Sequence, residues 1–266
     1  MNKTIGNTKN NPAKTANQAN NPESFLKENE VLDSLELDNR FIIQHKEKYK
    51  FTSDAVLLAN FAKIKNNSVV ADLCSGSGIV GILCALKNKP KKVFMVEMQP
   101  YLAEMSNRSV LINQLTNIEV INKKIQDLTE IECGSCDVVT VNPPYKKAGN
   151  GEQNLAPEIA LARHEIALKL TDVIKCASQI LKFGGKLYMV HDANRVAEII
   201  EELAVFGLKA KKLLFTQSHL NTKANLVLIE ASKGGKHGVE VLPVLITNNT
   251  DGTYNHDLLK YINCRK

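Results

Sequence analysis

Tryptophan is absent from this chain, and aromatic residues make up only 5% of its 266 residues. This scarcity argues against a single-strand nucleic-acid binder that is built mainly of stacked aromatic platforms. No apolar run approaches the roughly 18 residues that a membrane-spanning helix needs. The N-terminus also lacks the apolar segment of a secretory signal. We therefore expect a cytoplasmic protein that has no membrane partner.

Cysteine is sparse as well, with six residues at scattered positions. A disulfide scaffold would use cysteines more densely. Cys133 and Cys136 form a lone CxxC, and no second CxxC or histidine pair lies at the spacing that completes four zinc ligands. We expect reduced cysteines and no metal site.

The charge is moderately basic, with 34 Lys and Arg against 28 Asp and Glu, a formal net charge of +6. Small clusters of lysine suit the phosphate backbone of a nucleic acid. A solvated basic surface explains them equally well, so charge alone leaves nucleic-acid binding open. The clusters comprise Lys87, Lys89, Lys91 and Lys92; Lys123 and Lys124; Lys146 and Lys147; and Lys209, Lys211 and Lys212.

The pattern along the chain divides it into a tail, a domain and a second tail. Residues 1–29 are rich in Asn, Lys, Thr, Ala and Pro and predict a disordered polar tail. Residues 30–235 form one domain in which short apolar strands alternate with helices. Residues 236–266 are predicted as a C-terminal tail with a short helix at 255–262.

The strands predict an α/β fold. They show no polar alternation and are separated by helices, which is typical of a parallel sheet covered on both faces. Two late strands, at 210–215 and 225–231, have no helix between them and predict an antiparallel pair. A long helix is predicted from about 164 to 181, with Gly184 and Gly185 closing it as a C-cap.

A glycine turn follows the strand at 68–73. Asp72 lies near the end of that strand, and Gly76 and Gly78 lie where the backbone must turn sharply and approach a ligand. The D-x-x-x-G-x-G spacing matches neither the dinucleotide fingerprint nor a P-loop. Glu97 ends the next strand, where a carboxylate can accept hydrogen bonds from both hydroxyls of a ribose. The combination predicts a nucleoside-binding turn.

The sequence Asn142-Pro143-Pro144-Tyr145 directly follows another strand, at the sheet edge where open α/β folds place their sites. A proline pair also marks ordinary turns. Asn142, however, offers a side-chain carbonyl as acceptor. Pro143 has a carbonyl but no N–H, and its fixed φ directs that carbonyl. Tyr145 offers a flat face for stacking.

These groups suit methylation of an amine. An exocyclic adenine amine is planar and a poor nucleophile, because its lone pair is delocalised into the ring. Two acceptors that bind the NH₂ group draw the nitrogen towards tetrahedral geometry and favour its developing positive charge. Stacking holds the base in line with a sulfonium methyl group. Asn142, Pro143 and Tyr145 are therefore the predicted catalytic residues, and Pro144 and Tyr145 are predicted to bind the substrate.

The glycine turn, the late strand pair and NPPY together resemble the class I S-adenosylmethionine-dependent methyltransferases with an NPP[YF] motif. Within these, the chain resembles the tRNA1(Val) (adenine(37)-N6)-methyltransferase family over about residues 39–243. The segments that carry this narrower resemblance are FTSDAVLLANFA (51–62), DLCSGSGIVGIL (72–83), DVVTVNPPY (137–145), LARHEIALKLTDVI (161–174) and GGKLYMVH (184–191).

The resemblance implies a Rossmann-like, seven-stranded mixed sheet that is mostly parallel, with a terminal antiparallel hairpin and helices on both faces. It also implies S-adenosyl-L-methionine as cofactor and the N6 amine of an adenine in RNA as target, in a tRNA near the anticodon. Asn142 to Tyr145 would hold that amine. The implied cofactor-binding residues are Asp72, Gly76 and Gly78 in the turn, Glu97 at the ribose, and Thr52 and Asp54 near the methionine end.

One stretch departs from the family pattern. The family usually has an acidic residue just after the third strand, near the adenine ring of the cofactor. Here Lys123 and Lys124 occupy the corresponding positions. Either Asp127, further along, or the backbone takes that role.

Basic residues near NPPY have two interpretations each. Lys146 and Lys147 suit phosphates that flank a flipped base, or they belong to an ordinary polar loop. Arg163, His164 and Glu165 precede a helix, where Glu165 is favourable near the positive end of the dipole. They could also contact RNA.

Three alternative functions compete with tRNA methylation. A protein glutamine N5-methyltransferase usually carries an added N-terminal helical domain, and residues 1–38 are too short and polar for one. A DNA adenine methyltransferase usually carries a target-recognition domain, and no insertion here is large enough. A non-enzymatic RNA-binding domain has no need of both NPPY and the pair Asp72 and Glu97. The residues leave open which tRNA and which base would be modified, and the oligomeric state.

Overall fold

The computed structural model describes residues 21–37, 39–47, 52–144 and 168–263. No helix within these ranges is long and apolar enough to cross a membrane. The strands are β1 (Glu30–Ser34), β2 (Phe41–His45), β3 (Val69–Leu73), β4 (Lys92–Glu97), β5 (Ile118–Asn122), β6 (Cys136–Val141), β7 (Leu181–Asp192), β8 (Leu208–Gln217), β9 (Ala224–Lys233), β10 (Glu240–Val241) and β11 (Leu245–Ile246). The α-helices are α1 (Ser53–Phe61), α2 (Ile79–Asn88), α3 (Pro100–Ile112), α4 (Leu170–Ile180), α5 (Val196–Val205) and α6 (His256–Asn263).

The main sheet has seven long strands in the order β5-β4-β3-β6-β7-β9-β8, and the two-residue strands β10 and β11 both pair with β8. Strand β9 is antiparallel to β7 and to β8, while the other neighbouring pairs are parallel. Strand β8 therefore runs in the same direction as the parallel strands. The predicted mixed α/β sheet with a late antiparallel hairpin is confirmed.

Both faces of the sheet are buried, which explains why the strands lack polar alternation. In β3, Ala71 and Leu73 pack in the apolar layer formed with α4 and α5. Val70, between them, packs on the opposite face with α1 and α2. The alternation of side chains along a strand thus sends every second residue of β3 into a different half of the core.

The C-cap predicted at Gly184 and Gly185 is wrong. Helix α4 ends at Ile180, and Leu181 already has extended backbone, with φ −69° and ψ 137°. The two glycines lie within β7, beside the point where its pairing with β6 shifts register. Gly184 has φ +80°, so its conformational freedom serves an irregularity in the strand and not a helix end.

Two elements after residue 235, β11 and α6, pack on the domain. Leu245 in β11 and Leu258 in α6 are buried in the apolar layer that contains α1 and α2. Helix α6 occupies the stretch predicted as a short helix. The domain boundary at 235 stays a prediction, while these two leucines complete one face of the core.

A two-stranded antiparallel sheet, β1 with β2, lies on α3. The Ser109 hydroxyl accepts a hydrogen bond from Ile43 N (3.0 Å), and Asn113 Oδ1 accepts one from Phe41 N (3.1 Å). Asn113 Nδ2 donates in return to Phe41 O (2.6 Å). Ser109 and Asn113, four residues apart on one face of α3, thereby satisfy backbone groups of β2 in place of a second neighbouring strand.

Residues 21–29, at the end of the predicted tail, include a 3-10 helix at Pro22–Phe25. Phe25 and Leu26 pack against a cluster that contains Leu102 and Met105 of α3. The Arg108 guanidinium lies beside them and donates to both oxygens of the Glu30 carboxylate. Residues 1–20 of the predicted tail lie outside the described residues.

Candidate active site

Three neighbouring parallel strands end side by side at one edge of the sheet. Leu73 of β3 pairs with Val141 of β6 on one side and with Val96 of β4 on the other. The glycine turn after β3, Asn142 after β6 and Glu97 at the end of β4 therefore leave the sheet at the same edge. This is where an open α/β sheet holds its ligands.

Asp72 ties the turn to its neighbours. Its side chain is 1% exposed, and Oδ2 accepts a hydrogen bond from Gly81 N (3.0 Å) in the first turn of α2. Oδ1 accepts one from Thr140 Oγ1 (2.8 Å) on β6. Burial raises the pKa of Asp72 to about 7, against the lowering effect of these two hydrogen bonds. Asp72 thus joins the start of α2 to β6 through its two hydrogen bonds and fixes the turn between them.

Glu97 holds the other side of the turn. Its Oε2 accepts a hydrogen bond from Gly76 N (2.9 Å), and its Oε1 accepts one from Gln99 N (2.9 Å). Burial raises the pKa of Glu97, and the backbone donors oppose that effect. Each carboxylate oxygen retains further acceptor capacity, so the ribose role of Glu97 stays a prediction that this geometry permits.

The backbone of the turn needs its glycines. Gly76 and Gly78 have φ of +56° and +87°, in the left-handed region that favours glycine. A Cβ at Gly78 would lie 3.0 Å from Met95 Cε and from Ser106 Cβ. A Cβ at Gly81 would lie 2.6 Å from Met95 Cγ and Sδ. Gly81 was not among the residues predicted from the sequence, although a glycine inside an apolar helix indicates close packing.

Two hydroxyls within the turn have no hydrogen-bond partner among the described residues. Ser75 Oγ and Ser77 Oγ are buried and make no hydrogen bond within the described part of the chain. A buried hydroxyl without a partner costs about 1–3 kcal/mol. Polar groups of a ligand that enters the turn could satisfy both, so the turn has the chemistry of a binding site.

Asn142, Pro143 and Pro144 lie beside this turn. Asn142 is partly exposed, Pro143 is buried and Pro144 is exposed. Among the described residues, none forms a hydrogen bond with the Asn142 side chain, so its carbonyl is available to a substrate. The other residues predicted here lie outside the described residues: Tyr145, Lys146, Lys147, Arg163, His164 and Glu165.

Thr52 and Asp54 lie at the start of α1, where Thr52 is the exposed N-cap and Asp54 is in the first turn. Helix α1 packs on α2, the helix that follows the glycine turn. Near the ends of the two helices, Lys87 Nζ donates to Asn60 Oδ1 (2.8 Å). The cofactor role of Thr52 and Asp54 stays a prediction.

The stretch after β5 contains the departure from the family pattern. Lys123 forms an ion pair with Glu130, which offsets its charge, and Lys124 is exposed. Asp127 ends a 3-10 helix at Ile125–Asp127 and is exposed. Asp127 is thus accessible from solvent, and its contact with a cofactor adenine stays a prediction.

Two further residues near this edge were not predicted from the sequence. His191 is buried near the end of β7, two residues after Met189, the partner of Val141. Burial and the nearby Arg195 lower the pKa of His191 to about 4, and its Nδ1 accepts from Asp192 N (2.8 Å). Tyr101 is the second residue of α3, and burial and the charge of Glu97 raise its pKa. Its signal in the sequence is a tyrosine in the first turn of the helix that follows Glu97.

Within the described ranges, no group of three His, Cys, Asp or Glu side chains could hold a metal ion. Of the CxxC pair, Cys133 is exposed and Cys136 is buried. Burial raises the pKa of Cys136 to about 11, so its thiol is protonated.

Comparison with known families gives a match over most of the domain. A family model described as the methyltransferase small domain matches residues 51–207. The tRNA1(Val) (adenine(37)-N6)-methyltransferase of Pseudoalteromonas translucida is 25% identical over 186 residues, or 70% of this chain and 76% of that protein. The release factor glutamine methyltransferase of Mycoplasma mycoides is 25% identical over 187 residues, or 64% of this chain and 63% of that protein.

Solved structures share the fold. A predicted O-methyltransferase from Agrobacterium tumefaciens has a TM-score of 0.63 at 23% identity and covers 80% of this chain and 96% of its own. TYW2 of M. jannaschii, solved in complex with AdoMet, has a TM-score of 0.54 at 16% identity and covers 77% of this chain and 86% of its own. At these identities the likeness concerns the fold alone.

Proposed function

Because this chain belongs to the methyltransferase small domain family, we propose that it transfers a methyl group from S-adenosyl-L-methionine to the N6 amine of an adenine in tRNA, near the anticodon. The observation that carries this proposal is that Asn142 and Pro143 directly follow β6, which neighbours β3 and its glycine turn, with Val141 and Leu73 in register. Hydrogen-bond acceptors that suit an amine and a turn that suits a nucleoside thereby lie at the same edge of the sheet.

The turn fits the cofactor. Ser75 and Ser77 present buried hydroxyls that lack partners in the described structure, and Glu97 presents a carboxylate at the end of β4. When bound, S-adenosyl-L-methionine supplies a methyl group activated by a sulfonium. The residues proposed to hold it are Asp72, Gly76 and Gly78 through the turn, Glu97 at the ribose, Thr52 and Asp54 near the methionine end, and Asp127 near the adenine.

The target amine is held by two acceptors. One N–H of the adenine N6 donates to the Asn142 side-chain carbonyl and the other to the Pro143 main-chain carbonyl. Both oxygens favour the positive charge that grows on the nitrogen as it attacks. Tyr145 stacks on the base, Pro144 packs beside it, and Lys146 and Lys147 bind flanking phosphates.

No side-chain base is needed for this reaction. The methylated amine carries a proton that it loses readily, since the neutral aromatic amine recovers its delocalised lone pair. His191 is the nearest buried imidazole on the neighbouring strand, but its Nδ1 already accepts from Asp192 N. We assign His191 no part in proton transfer.

A second candidate is methylation of a protein glutamine, which the similarity to the Mycoplasma mycoides relative favours. A glutamine side chain also presents a planar NH₂ group, which suits the same two acceptors. The two candidates differ in the surface that must reach the site, a nucleic-acid loop or a polypeptide loop.

Nucleoside mass spectrometry of tRNA tests the proposal. We expect tRNA from cells that lack the protein to lose N6-methyladenosine, and the purified protein with S-adenosyl-L-methionine to restore it. The Asn142→Ala variant is the matched control and should not restore it. Methyl transfer to a release factor, without transfer to tRNA, would support the second candidate and contradict the first.

A further inference from the structure

The sheet edge that carries the candidate site continues past that site, because further strands run parallel to β6 and also end at this edge. Strand β8 is parallel to β6 and β7, because both β7 and β8 are antiparallel to β9. Strand β11 is parallel to β8, with Leu245 opposite Thr216 and Ile246 opposite Gln217. The turns after β8 (218–223) and after β11 (247–255) therefore project from the same edge as Asn142.

Strand spacing gives the distance along this edge. Three spacings of about 4.8 Å separate β6 from β8, and a fourth separates β8 from β11. The two turns thus lie roughly 14–19 Å from the end of β6. We call the two turns together the Tyr254 surface.

The Tyr254 surface is held in a defined shape. Asn248 N donates to Ser218 O (2.9 Å), which joins the two turns, and Asn248 also forms an antiparallel bridge with Tyr254. Asn249 N donates to Thr253 O (2.8 Å), and Asn249 Nδ2 donates to Tyr254 O (3.2 Å). A turn fixed in this way loses little entropy when it binds a partner.

Large apolar side chains are nevertheless turned to solvent here. Tyr254 is 58% exposed and Leu220, on the adjoining turn, is 74% exposed. Lys223 is exposed and forms no ion pair with any described residue. An aromatic face, an apolar neighbour and a free cation on one rigid surface suit an unstacked base and its phosphate.

We propose that the Tyr254 surface binds single-stranded nucleotides of the RNA that flank the target adenine, with Tyr254 stacking on a base and Lys223 contacting a phosphate. This proposal rests on the proposed function, since it names a second contact of the same RNA substrate. Two observations support the proposal. The Tyr254 surface lies at the same sheet edge as Asn142, and it presents an exposed aromatic ring, an exposed leucine and a lysine. A nucleic-acid loop that is long enough to bridge the two places would be selected over an isolated adenine.

The test compares an exposed aromatic on this edge with one on the opposite edge. Tyr254→Ala and Tyr254→Phe are the test variants, and Phe183→Ala is the matched control. Phe183 is 84% exposed and lies near the amino end of β7. The measurements are the Kd for unmodified tRNA by fluorescence anisotropy, and kcat and KM for methyl transfer, with a melting curve for each variant.

We expect Tyr254→Ala to raise Kd and KM about 5- to 150-fold while kcat and cofactor affinity stay unchanged. Tyr254→Phe and Phe183→Ala should match the wild type. If Tyr254→Ala perturbs the fold, Lys223→Glu gives an independent measurement: it should weaken tRNA binding and lower the slope of log Kd against log salt by about one.

The outcomes separate this proposal from the proposed function. If Tyr254→Ala and Lys223→Glu both methylate tRNA normally and bind it with an unchanged Kd, the proposal that the Tyr254 surface binds RNA is wrong. The proposed function is then unaffected. A wild-type protein that neither binds nor methylates tRNA but methylates a release factor would overturn both. Weakened tRNA binding in the two variants, with Phe183→Ala unaffected, supports the Tyr254 surface even where near-normal kcat in Asn142→Ala contradicts the proposed role of Asn142.

Discussion

Glu97 Oε2 accepts a hydrogen bond from Gly76 N at 2.9 Å, which joins the end of β4 to the turn that follows β3. The same carboxylate accepts from Gln99 N through its other oxygen. Glu97 therefore shapes the binding turn before any ligand enters, in addition to its proposed contact with the ribose hydroxyls.

Replacement of Glu97 tests this double role. Glu97→Ala should weaken binding of both S-adenosyl-L-methionine and its demethylated product about 10- to 150-fold, the range expected when hydrogen bonds to a charged group are lost. Both ligands should raise the melting temperature of the wild type by mass action and that of the variant much less. Calorimetric titration gives the two affinities. Equal binding by the variant would remove Glu97 from the ribose role.

Asp72 provides a prediction on pH. Its pKa in the folded state is about 7, against an ordinary value of 3.8, because it is buried. The stabilisation that comes from the neutral carboxyl is complete below about pH 4 and is lost as pH rises to about 7. Asp72→Asn stays neutral and keeps an acceptor for Gly81 N, while the Thr140 hydroxyl can accept from the new amide.

The free energy of unfolding of Asp72→Asn, relative to the wild type, should therefore rise by roughly 1–4 kcal/mol between about pH 5 and pH 8. Urea unfolding of both proteins across that range measures this difference. The titration of Glu97, present in both, largely cancels in the comparison. A difference that does not change with pH would show that the buried Asp72 carboxyl keeps an ordinary pKa.

Asn142 should act on the transition state. Its hydrogen bond to the target amine strengthens as positive charge develops, so Asn142→Ala should lower kcat about 10²–10³-fold with little change in KM. Asn142→Asp keeps an acceptor and should lose less. Steady-state methyl transfer to unmodified tRNA gives both constants, with cofactor binding as the folding control. Near-normal kcat in Asn142→Ala would make the NPPY turn structural.

Two truncations test the N-terminal segment. A chain that starts at residue 21 keeps Phe25 and Leu26, which pack against α3, whereas a chain that starts at residue 30 exposes part of that cluster. The shorter chain should lose about 1–3 kcal/mol of stability relative to the longer one. Thermal unfolding of the pair measures the loss. Equal melting temperatures would show that the contact between residues 21–29 and α3 contributes nothing to stability.

Local patterns in the sequence determined the class of the fold and the positions of its glycine turn and its amine acceptors. Buried strands without alternation, separated by helices, predict the parallel sheet. The glycines at 76 and 78 predict a sharp turn because few other residues adopt a positive φ. Asn142 and Pro143 are recognisable since their acceptor groups belong to the residues themselves and follow a strand directly. Each of these signals lies within a few residues of the feature that it predicts.

The tertiary structure decided which distant residues meet. Thr140 reaches Asp72 and Glu97 reaches Gly76 because β6, β3 and β4 are neighbours in the sheet, an order that no local pattern contains. Gly184 resembled a helix cap because a positive φ serves a strand irregularity equally well. Tyr254 lies at the same edge as the site only because β8 is parallel to β6, with β9 antiparallel between β7 and β8, and because β11 pairs parallel to β8. Pairing between strands far apart in the chain is a property of the whole packed sheet, whose stability depends on all its contacts together.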